Sequence, residues 1–217
     1  MTVAFFDLDR TLLDCNSGRL WVAHEFREGR IGVRDALWAG WWLARYSLGV
    51  GDGLDGAFAA AVASYAGVEE AGVAERTRAW FDEACVGRLR PGAPAVLEMH
   101  RERGDRLVLA TSSTAYVGLA AQAHWGFDDV LCTRMEVADG LFTGAIAALA
   151  YGDAKHTLAA AWAEQEGVDL AECTFYTDSI TDRALMEAVG TPVAVHPDRP
   201  LRALARERGW TIADWSA

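Results

Sequence analysis

The sequence is short of cysteine and of positive charge, and each shortage excludes something. Its four cysteines, Cys15, Cys85, Cys132 and Cys173, lie far apart and form no C-x-x-C pair. They read as free thiols of a reducing cytoplasm, which sets the expected location as cytoplasmic. The formal net charge of −11 argues against a nucleic-acid partner, which needs a cationic surface. Any anionic substrate must then be met by a local positive site rather than by the overall field. Long apolar runs are missing too. The most membrane-like stretch, ALWAGWWLARYSLGV at residues 36–50, has about nine uncharged residues before Arg45, well short of the roughly 20 that span a bilayer. No stable membrane insertion is expected, and three tryptophans there suit a buried helix or a pocket wall. No secretory leader is expected either, because Asp7 already interrupts the first apolar run.

What is present is enough for a core: 52% apolar residues in a chain of 217, one domain or one domain with an insertion. VAFF at residues 3–6 is a short apolar run of the kind covered on both faces. From about Asn16 to Gly87 the spacing turns helical, in GRLWVAHEFREG, VRDALWAGWWLARYSLG and VAERTRAWFDEACVGRL. After RPGAP helices and strands alternate. Helix PAVLEMHRERG leads to strand RLVLAT, then helix STAYVGLAAQAHWG, with Ser112, Ser113 or Thr114 as its cap. DVLCTRMEVADGLFTGAIA reads as two strands about an Asp-Gly turn. Helix AKHTLAAAWAEQEG, strand CTFYTD, helix ITDRALMEAVG, strand PVAVHP and helix RPLRALARERG complete the order. The fold class expected is α/β, a doubly wound parallel sheet with a helical insertion after the first strand.

Four polar clusters fall at ends of these elements: Asp7-Leu8-Asp9-Arg10-Thr11, Thr111-Ser112-Ser113, Lys155, and Asp178-Ser179. With 17 Asp and 13 Thr, a D-x-D-x-T arises by chance in about one chain in twelve of this composition, so alone it is only a hypothesis. The weight rests on all four in this order, at the edge where such sheets bind ligands. Asp7 and Asp9 stand two residues apart, so they repel, and desolvation raises the cost of ionising both. A site that binds a cation and moves a proton would need them.

In DLDRT, in RLVLATSS, in the lysine of GDAKHTL and in YTDSITDRALMEAVGTPVAVHPD, the chain resembles the haloacid dehalogenase superfamily, in the branch that includes phosphoserine phosphatases. The resemblance implies a Rossmann-like catalytic core of residues 1–14 and 88–217 with a helical cap of residues 15–87. It implies a Mg²⁺-dependent phosphatase that hydrolyses a small phosphomonoester through an aspartyl-phosphate. Asp7, Asp178 and the backbone carbonyl of Asp9 would hold the metal. Asp7 would be the nucleophile, and Asp9 the general acid and then the base. Lys155, the Thr111 hydroxyl and the Ser112 amide would surround the phosphoryl oxygens. Asp182 would orient Lys155 or a water at the metal. One position departs: Thr177 stands where many members carry glycine, with no mechanistic consequence expected.

An acid at Asp9 favours phosphate-ester hydrolysis, since the family's dehalogenases use none there and its ion-pumping ATPases carry threonine. A phosphotransferase using the same residues stays open as an alternative. Nine residues after the nucleophile, where phosphoserine phosphatases hold the substrate ammonium with a glutamate, this chain has Asn16. Phosphoserine is thereby demoted beside histidinol phosphate and other amino-alcohol phosphates, sugar phosphates and lysophospholipid-type phosphates. Arg10 reads either as a surface ion pair or as a substrate-facing group. Trp21, Trp38, Trp41 and Trp42 either pack the cap or line its pocket. Glu25 is expected to be solvated, the five histidines show no metal-ligand spacing, and the chain is expected to be a monomer or homodimer.

Overall fold

The computed structural model describes residues 2–32 and 61–216. Along them the chain forms β1 (Val3–Phe6), α1 (Ser17–Arg27), α2 (Glu70–Ala84), α3 (Ala93–Glu102), β2 (Arg106–Thr114), α4 (Ala115–Trp125), β3 (Asp129–Ala138) and β4 (Leu141–Ala148). There follow α5 (Asp153–Glu166), β5 (Thr174–Thr177), α6 (Arg183–Ala188), β6 (Thr191–Val195), α7 (Arg199–Arg208) and β7 (Thr211–Ala213). The strands make one sheet in the order β4-β3-β2-β1-β5-β6-β7, parallel throughout except between β3 and β4. The order runs outward in both directions from β1 and β5, which makes their junction the switch point of an α/β sheet, where ligands bind at the carboxyl ends.

Burial on both faces explains the uninterrupted apolar character of β1, whose four residues are all at most 2% exposed. Val3 and Phe5 join the core on one side of the sheet, with the Phe5 ring edge-on to Trp162 at 5.5 Å. Ala4 and Phe6 join the core on the other, where Phe6 stacks on Tyr176 at 4.7 Å. At roughly 1.5–3 kcal/mol for each large apolar side chain buried, this strand anchors the sheet and so fixes the residues that follow it.

The β3–β4 hairpin turns at Asp139 and Gly140, whose φ angles of 51° and 76° are both positive. That is the twist-matched two-residue turn that Asp-Gly favours. Strand β7 gives no periodic sequence signal, being three residues long and only partly covered. Beyond it Trp215 is buried against Gly92, where a Cβ would lie 2.9 Å from the Trp215 Cα.

The chain leaves the sheet after β1 and re-enters beside its own exit: Asp14 N donates to Arg88 O at 3.0 Å, and Arg90 N to Leu12 O at 2.8 Å. Helix α2 lies along α4, and Tyr116 Oη donates to Glu70 Oε1 at 2.9 Å across that contact. Two sequence expectations change here. Glu25 is not solvated; it is 3% exposed, paired with Arg30 at 2.7 Å and Arg76 at 3.7 Å, because α1 turns it inward. At the start of α4 the capping position is Thr114, yet its side chain makes no capping bond. The helix expected over residues 33–49, with Trp38, Trp41 and Trp42, lies outside the described residues. Trp21 is described: it packs edge-on to Trp80 at 5.0 Å and donates to Tyr65 Oη at 3.1 Å.

Candidate active site

Where β1 ends, the Asp7 amide donates to Tyr176 O at 2.9 Å, which pins the first aspartate between β1 and β5. The next residues form a tight turn closed by Leu13 N on Leu8 O at 2.9 Å. Arg10 takes a left-handed conformation, φ 62°, which costs a non-glycine residue about 1 kcal/mol. Its carbonyl is held in compensation by the Arg90 guanidinium, at 3.1 Å from Nε and 2.9 Å from a terminal nitrogen. The turn thereby sends Asp7, Asp9 and Arg10 into one cleft, which Asn16, Thr111, Ser112, Lys155, Asp178, Ser179, Asp182 and Asp198 also line. The candidate site residues Asp7, Asp9, Arg10, Asn16, Thr111, Ser112, Lys155, Asp178 and Asp182 all line this cleft, whereas Trp21 and Glu25 do not.

The chain has nineteen arginines and one lysine. That lysine, Lys155, sits in the first turn of α5, is 1% exposed, and donates to Asp7 Oδ1 at 2.9 Å and Asp182 Oδ2 at 2.8 Å. A buried ammonium is tolerated only with such partners. Thr11 Oγ1 donates to the other Asp7 oxygen at 3.2 Å, and Thr177 Oγ1 donates to Asp182 Oδ2 at 2.6 Å. Asp9 is held separately. Its Oδ1 accepts from Ser17 N at 2.7 Å, and its Oδ2 from Ser17 Oγ at 3.0 Å and Ser113 Oγ at 3.1 Å.

The sequence reading missed Ser17, Ser113 and Thr177 as members of this network. Their one available signal was a hydroxyl at a strand end or helix start, and it is common. Thr111 Oγ1 accepts from Ser113 N at 3.1 Å, and Ser112 O accepts from Thr133 Oγ1 of β3 at 2.9 Å, so the irregular end of β2 after Ala110 is braced. Asn16 reaches the cleft, but its side-chain oxygen caps α1, accepting from Arg19 N at 2.9 Å.

Burial, reinforced by Asp182 and Asp9, raises the Asp7 carboxyl to about 7 despite the pull of Lys155. Asp178 is raised to about 8, by burial first and then by Asp7 and Asp182, with Arg10 opposing. Burial also raises Asp9, against the bonds from Ser17 and Ser113. Packed carboxylates of this kind hold protons unless a cation takes their place. Asp182 Oδ1 is buried with no hydrogen-bond partner among the described residues. Among the described residues no three His, Cys, Asp or Glu side chains form a ready metal cage. The all-oxygen set nevertheless fits Mg²⁺, which takes one or two carboxylates and keeps several waters.

The family model of haloacid dehalogenase-like hydrolases matches residues 4–187. The chain is 31% identical over 220 residues to phosphoserine phosphatase SerB1 of Mycobacterium tuberculosis, covering 98% of this chain and 70% of that protein. It is 26% identical over 219 residues to a histidinol-phosphatase of Neisseria meningitidis, covering 98% of each. A solved structure of a protein of unknown function from Bordetella pertussis Tohama I superposes with a TM-score of 0.88 at 28% identity, over 99% of this chain and 98% of that one.

Proposed function

The chain belongs to the haloacid dehalogenase-like hydrolases, in their phosphoserine-phosphatase-like branch, and is a phosphoric monoester hydrolase; from that premise we propose that it cleaves a small phosphomonoester through an aspartyl-phosphate on Asp7. The observation that carries this reading is the buried Lys155–Asp7 contact of 2.9 Å in the cleft that Asp9 also lines. Lys155 and Arg10 supply the local positive charge that a chain of net charge −11 needs at an anion site.

In the first step a carboxylate oxygen of Asp7 bonds to phosphorus as the bond to the alcohol oxygen breaks, and Asp9 gives its proton to that leaving oxygen. In the second, water attacks the phosphorus and Asp9 takes the proton, releasing phosphate and restoring Asp7. Burial, which favours the protonated form of Asp9, suits this alternation. Lys155, the Thr111 hydroxyl and the Ser112 amide surround the transferred group. Asp182 orients Lys155. The carboxylates of Asp7 and Asp178 and the carbonyl of Asp9 would hold Mg²⁺, which when bound neutralises phosphoryl charge. In this reading the described helices α1 and α2 belong to the cap expected from the sequence, whose role is to exclude water from the cleft. The protein works in the cytoplasm as a monomer or homodimer.

The substrate class we favour is an amino-alcohol phosphate or another small polar phosphomonoester. The lining of the cleft is polar at every described position, and the relatives of Mycobacterium and Neisseria are named for phosphoserine and histidinol phosphate. Asn16 argues against phosphoserine as the best of these. The test is phosphate release from a phosphomonoester panel, with and without Mg²⁺. Activity unaffected by exhaustive chelation would remove the metal from the scheme. A phosphoserine kcat/KM tenfold above every other compound would overturn the reading of Asn16.

A further inference from the structure

The Thr177 hydroxyl does more than fill the end of β5. It is wholly buried, donates to Asp182 Oδ2 at 2.6 Å and accepts from the Ser179 amide at 3.3 Å. The first distance lies in the range of a charge-assisted O–H···O⁻ bond. Asp182 Oδ2 is the same oxygen that receives Lys155 Nζ at 2.8 Å, and that ammonium reaches Asp7 at 2.9 Å. The other Asp182 oxygen is buried without a hydrogen-bond partner among the described residues. Among those residues the carboxylate of Asp182 is thus held by two donors on one oxygen and by none on the other. With Lys155 as its one donor the carboxylate would be free to turn about its Cβ–Cγ bond and to follow the flexible ammonium. A second donor, fixed to the β5 backbone, limits that rotation.

We propose that Thr177 is a positioning residue: its hydroxyl sets the Asp182 carboxylate, and through it the place of the Lys155 ammonium against Asp7. By accepting from Ser179 N, the same hydroxyl also closes the turn that carries Asp178. The inference rests on the phosphatase reading for its catalytic consequence, but not for its structural one. Thr177→Val keeps the branched shape demanded by a strand while deleting the hydroxyl. Because hydrogen bonds to charged groups are among the stronger ones, a fall in kcat of roughly tenfold or more is expected, with KM changed less than threefold. Thr177→Ser, which keeps the hydroxyl, restores kcat to within threefold.

Because Lys155 is the only lysine, a second readout needs no turnover. Limited acylation by an amine-reactive reagent, followed by peptide mass spectrometry, reports that one ε-amine apart from the chain terminus. Lys155 is expected to react at least fivefold faster in Thr177→Val than in wild type, and at the wild-type rate in Thr177→Ser. If the valine variant loses the native circular dichroism spectrum, Thr177→Ala is read in its place with the same expectations. Unchanged acylation, or faster acylation with an unchanged kcat, overturns the proposal. If wild type hydrolyses no compound in the panel yet Thr177→Val still exposes Lys155, the positioning of Lys155 stands and the phosphatase reading falls.

Discussion

Ser17 holds Asp9 with two bonds, its amide to Oδ1 at 2.7 Å and its hydroxyl to Oδ2 at 3.0 Å. Ser17 is the first residue of α1, so the second aspartate of the opening motif is tied to the helix that follows the sheet's exit strand. The Ser113 hydroxyl, from the end of β2, joins on the same oxygen at 3.1 Å. If Asp9 is the proton donor, these bonds set its reach. Ser17→Ala and Ser113→Ala are each expected to lower kcat on an alkyl phosphate by roughly tenfold, as a hydrogen bond to a charged group suggests. Turnover of p-nitrophenyl phosphate, whose leaving group needs little protonation, should fall less. Equal losses on both substrates would show that the serines serve folding rather than Asp9.

The two acids of the motif are expected to fail in different ways. Asp7→Asn should abolish turnover and leave no phosphoenzyme, since the nucleophile is gone. Asp9→Asn should still release close to one equivalent of nitrophenol per site from p-nitrophenyl phosphate. Slow turnover then follows, because general-base help is worth roughly 10²–10⁴-fold. An alkyl phosphate should show no burst. Rapid-quench kinetics with mass measurement of the trapped protein checks this; loss of both steps without phosphoenzyme would assign Asp9 to the fold or the metal.

The turn between α6 and β6 leaves no room for a side chain at Gly190. A Cβ there would sit 1.8 Å from Ala171 O, a backbone atom, while Gly190 N donates to Leu170 O at 3.2 Å. Gly190→Ala must therefore displace the loop before β5. Overpacking of this kind typically costs about 1–3 kcal/mol, and a backbone clash belongs at or above the upper end. Denaturant melts should show a lower midpoint, with the effect on kcat following only if β5 moves with the loop.

His196 gives the chain an acid-sensitive fastening. Its Nε2 accepts from Trp215 N at 2.8 Å, which requires that nitrogen to be unprotonated. Burial, and then the Arg90 charge, hold its pKa below the usual 6.5. The folded state therefore binds fewer protons than the unfolded state just below pH 6.5. The stability His196 contributes is present above that pH and is lost as the pH falls. The melting temperature of wild type should drop more steeply between pH 7 and 5.5 than that of His196→Gln. Parallel pH profiles would show that His196 does not titrate in this way.

Much of this arrangement is legible in the order of residues. An apolar strand closed on both faces and followed at once by two aspartates reads as a strand end at a ligand-binding edge. Lys155 and Asp178 each begin or end an element whose period is plain. These signals are local, since burial period and turn chemistry act over a few residues. The Asp-Gly turn between β3 and β4 is legible for the same reason, because both of its residues must accept positive φ.

Other relations needed the fold. Ser113 and Asp9, or Lys155 and Asp7, lie 104 and 148 residues apart, and no periodicity reports a pairing across that distance. Glu25 looked solvated because it is a carboxylate with no partner evident from the sequence; only the packing of α1 against Arg76 shows that it is buried and paired. Strand β7 exists because β6 offers it an open edge, not because three residues prefer extended backbone. Thr177 looked inert because its sequence position carries no charge. Its consequence appears once β5 and the following turn bring its hydroxyl to Asp182. The sequence by itself determined which chemical groups stand at the ends of which elements, because short-range periodicity encodes that. Which oxygen faces which donor was decided only by tertiary structure, because rotamers are chosen by neighbours distant along the chain.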